Sequence, residues 1–131
     1  MSIEIKVLIV DDDEDILRMA ARYLSSRGLV VLTSDTPFGV STLISRERPA
    51  VVVLDVMMPA LSGEALAGLI GTLAHDSAVV FYSALDEHRL KELAAGVEGA
   101  TYVSKTAGLA ALHEVVNRAA LARAMSAPER S

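Results

Sequence analysis

The 131-residue sequence contains no cysteine, which removes disulfides, iron–sulfur clusters, cysteine nucleophiles and thiolate zinc sites from consideration. It is also short of positive charge: 12 Lys and Arg stand against 17 Asp and Glu, a formal net charge of −5. Gripping duplex nucleic acid takes clustered cations to neutralise phosphates, so direct nucleic-acid binding by this chain is not expected. No apolar run approaches the ~18 residues that a membrane span needs. The opening Met1-Ser2-Ile3-Glu4-Ile5-Lys6 lacks the basic head of a signal peptide, and Asp11 cuts the following apolar run short. The expectation is a cytoplasmic protein without membrane contact. Apolar material is plentiful, at 52% hydrophobic against 22% charged residues, enough to fill the core of one domain.

Short runs rich in Val, Ile and Leu occupy residues 5–10, 29–33, 50–54, 78–82 and, more weakly, 100–103. Successive apolar residues over so few positions suit strands buried on both faces, as in a parallel sheet. Helical periodicity fills the gaps. Ile16, Leu17, Ala20 and Leu24 form one stripe, with Gly28 as the stop just past its end. Val40, Leu43 and Ile44 mark a second helix, opened by Thr36-Pro37 and closed before Pro49. A third spans 63–73, weakened by Gly68 and Gly71 by up to ~1 kcal/mol each. A fourth, 86–95, stops at Gly96, and a fifth, 107–125, aligns Leu109, Leu112, Val116 and Ala119. Five strand–helix alternations predict a doubly wound α/β fold: a five-stranded parallel sheet with helices on both faces, in the flavodoxin-like strand order 2-1-3-4-5. The domain is expected over residues 1–125, followed by a flexible polar tail at 126–131.

In such a sheet the loops leaving the carboxyl ends of the strands share one edge, and ligands bind there. The polar residues after each apolar run therefore mark the candidate site. They are Asp11, Asp12 and Asp13 after the first, Asp55 after the third, Ser83 after the fourth and Lys105 just beyond the fifth. Ser34 and Asp35 follow the second run, which this order puts at the sheet edge. Acidic residues at a helix N-terminus gain roughly 0.3–1 kcal/mol from its dipole, which accounts for Glu14 and Asp15 as water-facing residues of a first turn. It accounts less well for Asp11 and Asp12, adjacent carboxylates at the end of a buried strand, because burying them unpaired is costly. A divalent cation removes that cost, and oxygen ligands without cysteine point to Mg²⁺ or Mn²⁺. Asp55 alone reads equally well as a cap for the next loop; facing the acidic pair, it reads as a metal ligand or as a nucleophile beside a metal. Phosphoryl transfer needs a nucleophilic oxygen, a cation and donors around the transferred group. Ser83 and Lys105 supply a hydroxyl and an ammonium.

Taken in order, Val7-Leu8-Ile9-Val10-Asp11-Asp12-Asp13-Glu14, Leu54-Asp55-Val56-Met57-Met58-Pro59 with Gly63 following, Ser83-Ala84 and Lys105 resemble the receiver domain of two-component response regulators, the CheY-like family. The resemblance covers about residues 4–125. It implies that Asp55 accepts a phosphoryl group from the phosphohistidine of a sensor histidine kinase or phosphotransfer protein. It also implies that Asp11, Asp12, Asp55 and the backbone carbonyl of Met57 surround Mg²⁺. Lys105 would pair with the phosphoryl group, Ser83 would move to hydrogen-bond it, and Tyr102, at the switch-aromatic position, would turn inward. Output would pass through the fourth helix, fifth strand and fifth helix, residues 86–125, to a downstream effector protein. An exposed apolar face on the last helix admits a phosphorylation-dependent homodimer. Such a chain is a phosphoacceptor and not a turnover enzyme.

Three features depart from the family pattern. Thr106 follows Lys105 where many members carry proline, so a trans bond and a different loop path are expected. Met57 and Leu85, two residues beyond Asp55 and Ser83, are apolar where polar residues orient an attacking water, which predicts a slowly hydrolysing acyl phosphate. No effector domain follows, so output is expected by docking, or the chain is one part of a longer protein. Two rival readings remain: a docking module that keeps the fold without phosphorylation, and a haloacid-dehalogenase-type phosphatase with Asp11 as nucleophile and Asp13 as acid. His75, His88 and His113 lack metal-ligand spacing and read as surface residues, Met57 and Met58 as loop packing, and Gly63 as a tight turn.

Overall fold

Alternate residues of the central strands enter two separate cores, which is why their runs are apolar without a break. The computed structural model describes residues 4–59, 66, 68–69, 71 and 77–126. Within them β1 (Lys6–Val10), β2 (Val30–Ser34), β3 (Val51–Leu54), β4 (Ala78–Ser83) and β5 (Thr101–Ser104) form one sheet. All pairings are parallel, in the expected order β2-β1-β3-β4-β5. Val7, Ile9, Val51, Val53, Val80, Tyr82 and Val103 face one core, covered by the Glu14–Ser26 and Leu109–Ser126 helices through Leu17, Leu24, Leu112 and Val116. Leu8, Val10, Val52, Leu54, Val79 and Phe81 face the other, covered by the Val40–Glu47 and Glu87–Ala95 helices through Ile44 and Leu90, with Leu69 beside them. Among the described residues no helix is long and apolar enough to cross a membrane.

Local chemistry sets the helix ends. Asp13 caps the Glu14–Ser26 helix by accepting the N–H groups of Asp15 and Ile16, at 3.0 and 3.3 Å. At the other end Gly28 takes φ +90°, its N–H reaching the Ser25 carbonyl while that of Leu29 returns to Leu24. This is the paired-bond stop that glycine makes possible. Asp86 caps the Glu87–Ala95 helix through the N–H of Arg89.

Two helix starts differ from expectation. The second helix begins at Val40, not at Thr36-Pro37, because the Thr36 hydroxyl takes the Phe38 N–H and Gly39 sits at φ +79°, which interrupts helical geometry. The last helix begins at Leu109, because Gly108 at φ +92° separates it from a short 3-10 turn, Lys105–Ala107. Of the predicted third helix, Leu66, Gly68, Leu69 and Gly71 are described and helical. Gly63, His75 and residues 127–131 of the predicted tail lie outside the described residues, while Ser126, expected as the first residue of that tail, is the last residue of the Leu109–Ser126 helix.

Nothing lies within 4 Å of where a Gly28 side chain would begin, so only backbone strain opposes a substitution there. Gly28→Ala is expected to lower stability by about 1–2 kcal/mol, read as a shift in the urea midpoint with an unchanged slope.

Candidate functional site

The acidic site is assembled by strand register. Val10 pairs with Leu54, and the ladder runs one residue further, with the Asp55 N–H on the Val10 carbonyl at 3.0 Å and the Asp11 N–H on the Ser34 carbonyl at 3.1 Å. Asp11 and Asp55 therefore leave the sheet side by side, 1% and 5% exposed. Each carboxylate is oriented by the N–H two residues on: Asp13 to Asp11 Oδ1 at 2.9 Å, and Met57 to Asp55 Oδ1 at 3.0 Å. Asp12 is exposed beside them, and one carboxylate oxygen from each of the three residues lies within 4.8 Å of the others. Lys105 closes the site from beyond β5. Its Nζ donates to Asp55 Oδ2 at 3.0 Å and lies 2.7 Å from Asp11 Oδ2.

Three carboxylates thus face one ammonium. At such separations the repulsion between the two buried ones is on the order of 3 kcal/mol, taking an effective dielectric constant near 20. Burial pushes the Asp11 carboxyl above its ordinary value and the neighbouring Asp55 charge adds to this, against the opposing pull of Lys105 and the Asp13 N–H. Burial works to lower Lys105, but its two carboxylate partners outweigh that and raise it. Asp11 Oδ2 is buried against the Lys105 ammonium at 2.7 Å, a short ion pair in a contact that Asp55 shares. One ammonium shared among three carboxylates leaves this set of hard oxygen donors short of positive charge, which fits a divalent cation such as Mg²⁺ or Mn²⁺.

The other predicted site residues occupy the same edge. Ser83, fully buried, ends β4 and accepts the Leu85 N–H at 3.3 Å. Tyr102 is half-buried on β5, paired in register with Phe81 and packed on the same core. Met58 packs in that core, whereas Met57 is 54% exposed; loop packing accounts for only one of the two methionines. Every peptide bond among the described residues is trans, Lys105–Thr106 included. His88 is exposed and pairs with Glu92, but His113 is not a plain surface residue. It is half-buried edge-on to Tyr23 and bonded to Asn117.

Asp13, a candidate after the first apolar run, is spent as a helix cap. Two contributors escape a reading of apolar runs: Ser104 caps the turn that carries Lys105, and Tyr82 lies close enough to feel the site charges. Burial raises the Tyr82 hydroxyl, with Lys105 opposing and Asp11 reinforcing. Strand alternation was the available signal for Tyr82, since it shares its face with Val103, two residues before Lys105.

A family model of the response regulator receiver domain matches residues 7–117. The chain belongs to this family. Among curated relatives, the transcriptional regulatory protein KdpE of Mycobacterium tuberculosis is 33% identical over 127 residues, covering 93% of this chain and 55% of the relative. Response regulator MprA of Mycobacterium sp. (strain KMS) is 32% identical over 94 residues, 72% of this chain and 40% of the relative. The chain spans about half the length of the curated relatives it matches. The receiver protein from Burkholderia phymatum superimposes with TM-score 0.76 at 27% identity, over 88% of this chain and 94% of that one. A receiver domain protein from Clostridium thermocellum gives TM-score 0.76 at 26% identity, over 92% and 98%. Receiver domains are typically phosphoacceptors in two-component signalling, partnered by histidine kinases, and this one carries the acidic pocket Asp11, Asp12 and Asp55 with Lys105.

Because folded Asp11 holds its proton more tightly than the unfolded chain does, ionising it costs stability. The cost is absent below the ordinary aspartate value and complete above the raised one. In chelator at neutral pH, Asp11→Asn is therefore expected to be more stable than the parent in urea titrations, the gap closing as pH falls through the raised value. The variant should also lose most of the stabilisation that Mg²⁺ gives the parent.

Proposed function

We propose that the chain is a phosphoacceptor receiver whose Asp55 takes a phosphoryl group from the phosphohistidine of a sensor histidine kinase or phosphotransfer protein. The observation that carries this reading is the buried Asp11–Asp55 pair bridged by Lys105, with Asp12 beside it. Asp11, Asp12, Asp55 and the Met57 backbone carbonyl would hold Mg²⁺, which when bound neutralises the acidic cluster and the oxygens of the incoming group. An Asp55 carboxylate oxygen forms the new bond to phosphorus as the phosphorus–nitrogen bond breaks, its electron pair returning to the donor imidazole. Bonds from Met57 N–H and Lys105 hold the carboxylate plane in place for that approach.

Phosphorylation adds about two negative charges and new acceptor oxygens. The Lys105 ammonium, three donors on a flexible stem, follows that charge. Ser83 gives up its bond from Leu85 N–H and donates its own O–H to the phosphoryl group. Tyr102, on the same side of the sheet as Ser83, turns inward with it. Output then passes through residues 86–125, as a docked effector protein or a phosphorylation-dependent homodimer, from a receiver unit that we bound at residues 1–125. The phosphatase alternative requires Asp13 as an acid, and that carboxylate is engaged in capping the first helix.

Incubation with acetyl phosphate and Mg²⁺ is expected to add one labile phosphoryl group by intact mass, abolished by Asp55→Asn and by chelator. An unmodified parent under these conditions refutes the reading in favour of a non-phosphorylated docking module. Exposed Met57 and half-buried Leu85 offer no polar group to orient an attacking water. Met57→Asn is expected to shorten the acyl-phosphate lifetime by about tenfold, the worth of one well-placed hydrogen bond, measured as decay of the phosphorylated mass after donor removal.

A further inference from the structure

The lysine that closes the acidic site is presented by an unusual support. Lys105 opens the 3-10 turn Lys105–Ala107, and its carbonyl accepts the Gly108 N–H at 3.4 Å, a long bond that closes the turn but does not fix the direction from which the side chain reaches back across the sheet to Asp11 and Asp55. The residues on either side of it do. Ser104 Oγ accepts the Thr106 N–H at 3.3 Å, and the Ser104 and Thr106 hydroxyls share a second hydrogen bond at 2.8 Å. These two bonds clamp the chain immediately before and after the lysine, while Gly108 at φ +92° releases it into the last helix. Ser104 itself is anchored by register, paired with Ser83 at the end of β4. Where proline follows the lysine, as in the family pattern noted above, no N–H exists at that position. The backbone bond from Thr106 is thus available only because the proline is replaced.

We propose that Ser104 and Thr106 are positioning residues for Lys105: a hydroxyl clamp that holds the ammonium against Asp11 and Asp55. Short serine and threonine side chains commonly brace turns in this way. A lysine stem is flexible and loses considerable rotamer freedom when held in one place, so a fixed starting point for the stem keeps the ammonium in contact with both carboxylates. Ser104 contributes the larger share, since it serves both bonds; the Thr106 hydroxyl serves one.

The effect on phosphoryl transfer rests on the receiver reading, but the position of the lysine does not, so two readouts are needed. The first is acetylation of Lys105 by acetic anhydride, followed by peptide mass spectrometry and normalised to exposed Lys91 in the unphosphorylated protein. Ser104→Ala is expected to raise Lys105 labelling by about fivefold, the equivalent of one net hydrogen bond. Thr106→Val, which keeps the N–H, should raise it less, and Ser104→Thr should restore the parent rate. The second readout is the rate of Asp55 phosphorylation by acetyl phosphate, expected to fall by a similar factor in Ser104→Ala but to be unaffected by Ser104→Ala in a Lys105→Ala background. Circular dichroism melting verifies that each variant is folded. Unchanged Lys105 labelling in folded Ser104→Ala overturns the proposal, as does equal slowing with and without Lys105. Labelling that responds as stated in a parent that never becomes phosphorylated upholds the clamp and refutes only the phosphoacceptor reading.

Discussion

The ammonium of Lys105, held between Asp11 and Asp55, is the interaction on which the arrangement depends. Parallel register brings the ends of β1 and β3 together, and with them two carboxylates that water cannot reach freely. Two such groups destabilise a fold unless positive charge meets them. The lysine meets them only in part: one ammonium serves both buried carboxylates, and Asp12 adds a further negative charge at the rim. The site is therefore stressed in a useful direction, with carboxylates already stripped of water and short of cations. Such an arrangement gains on receiving a divalent ion.

The same local device ends every strand. Asp11, Ser34, Asp55, Ser83 and Ser104 each accept the N–H of the residue two positions on, through a side-chain oxygen. A short polar side chain at that point lets the chain leave the sheet abruptly without stranding a backbone donor. It also fixes the orientation of the group that makes the turn. At β1 and β3 that group is a carboxylate of the acidic pocket, at β4 it is Ser83 on the same edge, and at β5 it adjoins Lys105. Structure and chemistry are supplied by the same atoms, so the edge is preorganised by hydrogen bonds that cost no additional residues.

The β-branched runs and helical stripes made the five strands, their order and both helical layers legible, because burial on both faces leaves a plain signature in residue type. The acidic residues and the lysine were legible for a related reason: polar groups at the ends of buried runs stand out, and their order along the chain resembles one family. Helix starts were less so. Thr36-Pro37 carries a helix-opening signal that a side-chain turn and Gly39 override, and Gly108 divides what reads as one helix from Lys105's turn. The clamp at Ser104 was not visible in either pattern, and for the proximity of Tyr82 to the site charges strand alternation was the one signal on offer.

The residue types along the chain determined which groups lie at the carboxyl edge of the sheet, since a run of apolar residues must end where the polar loop begins. Tertiary structure alone decided which of them touch. Asp11 and Lys105 are far apart in sequence and meet only because β4 and β5 extend the sheet on the far side of β3, while Asp12, adjacent to Asp11, remains exposed. Distance and burial set the charge balance of the site, and both arise from strand register and turn geometry, which depend on contacts between distant segments rather than on the identity of any single residue.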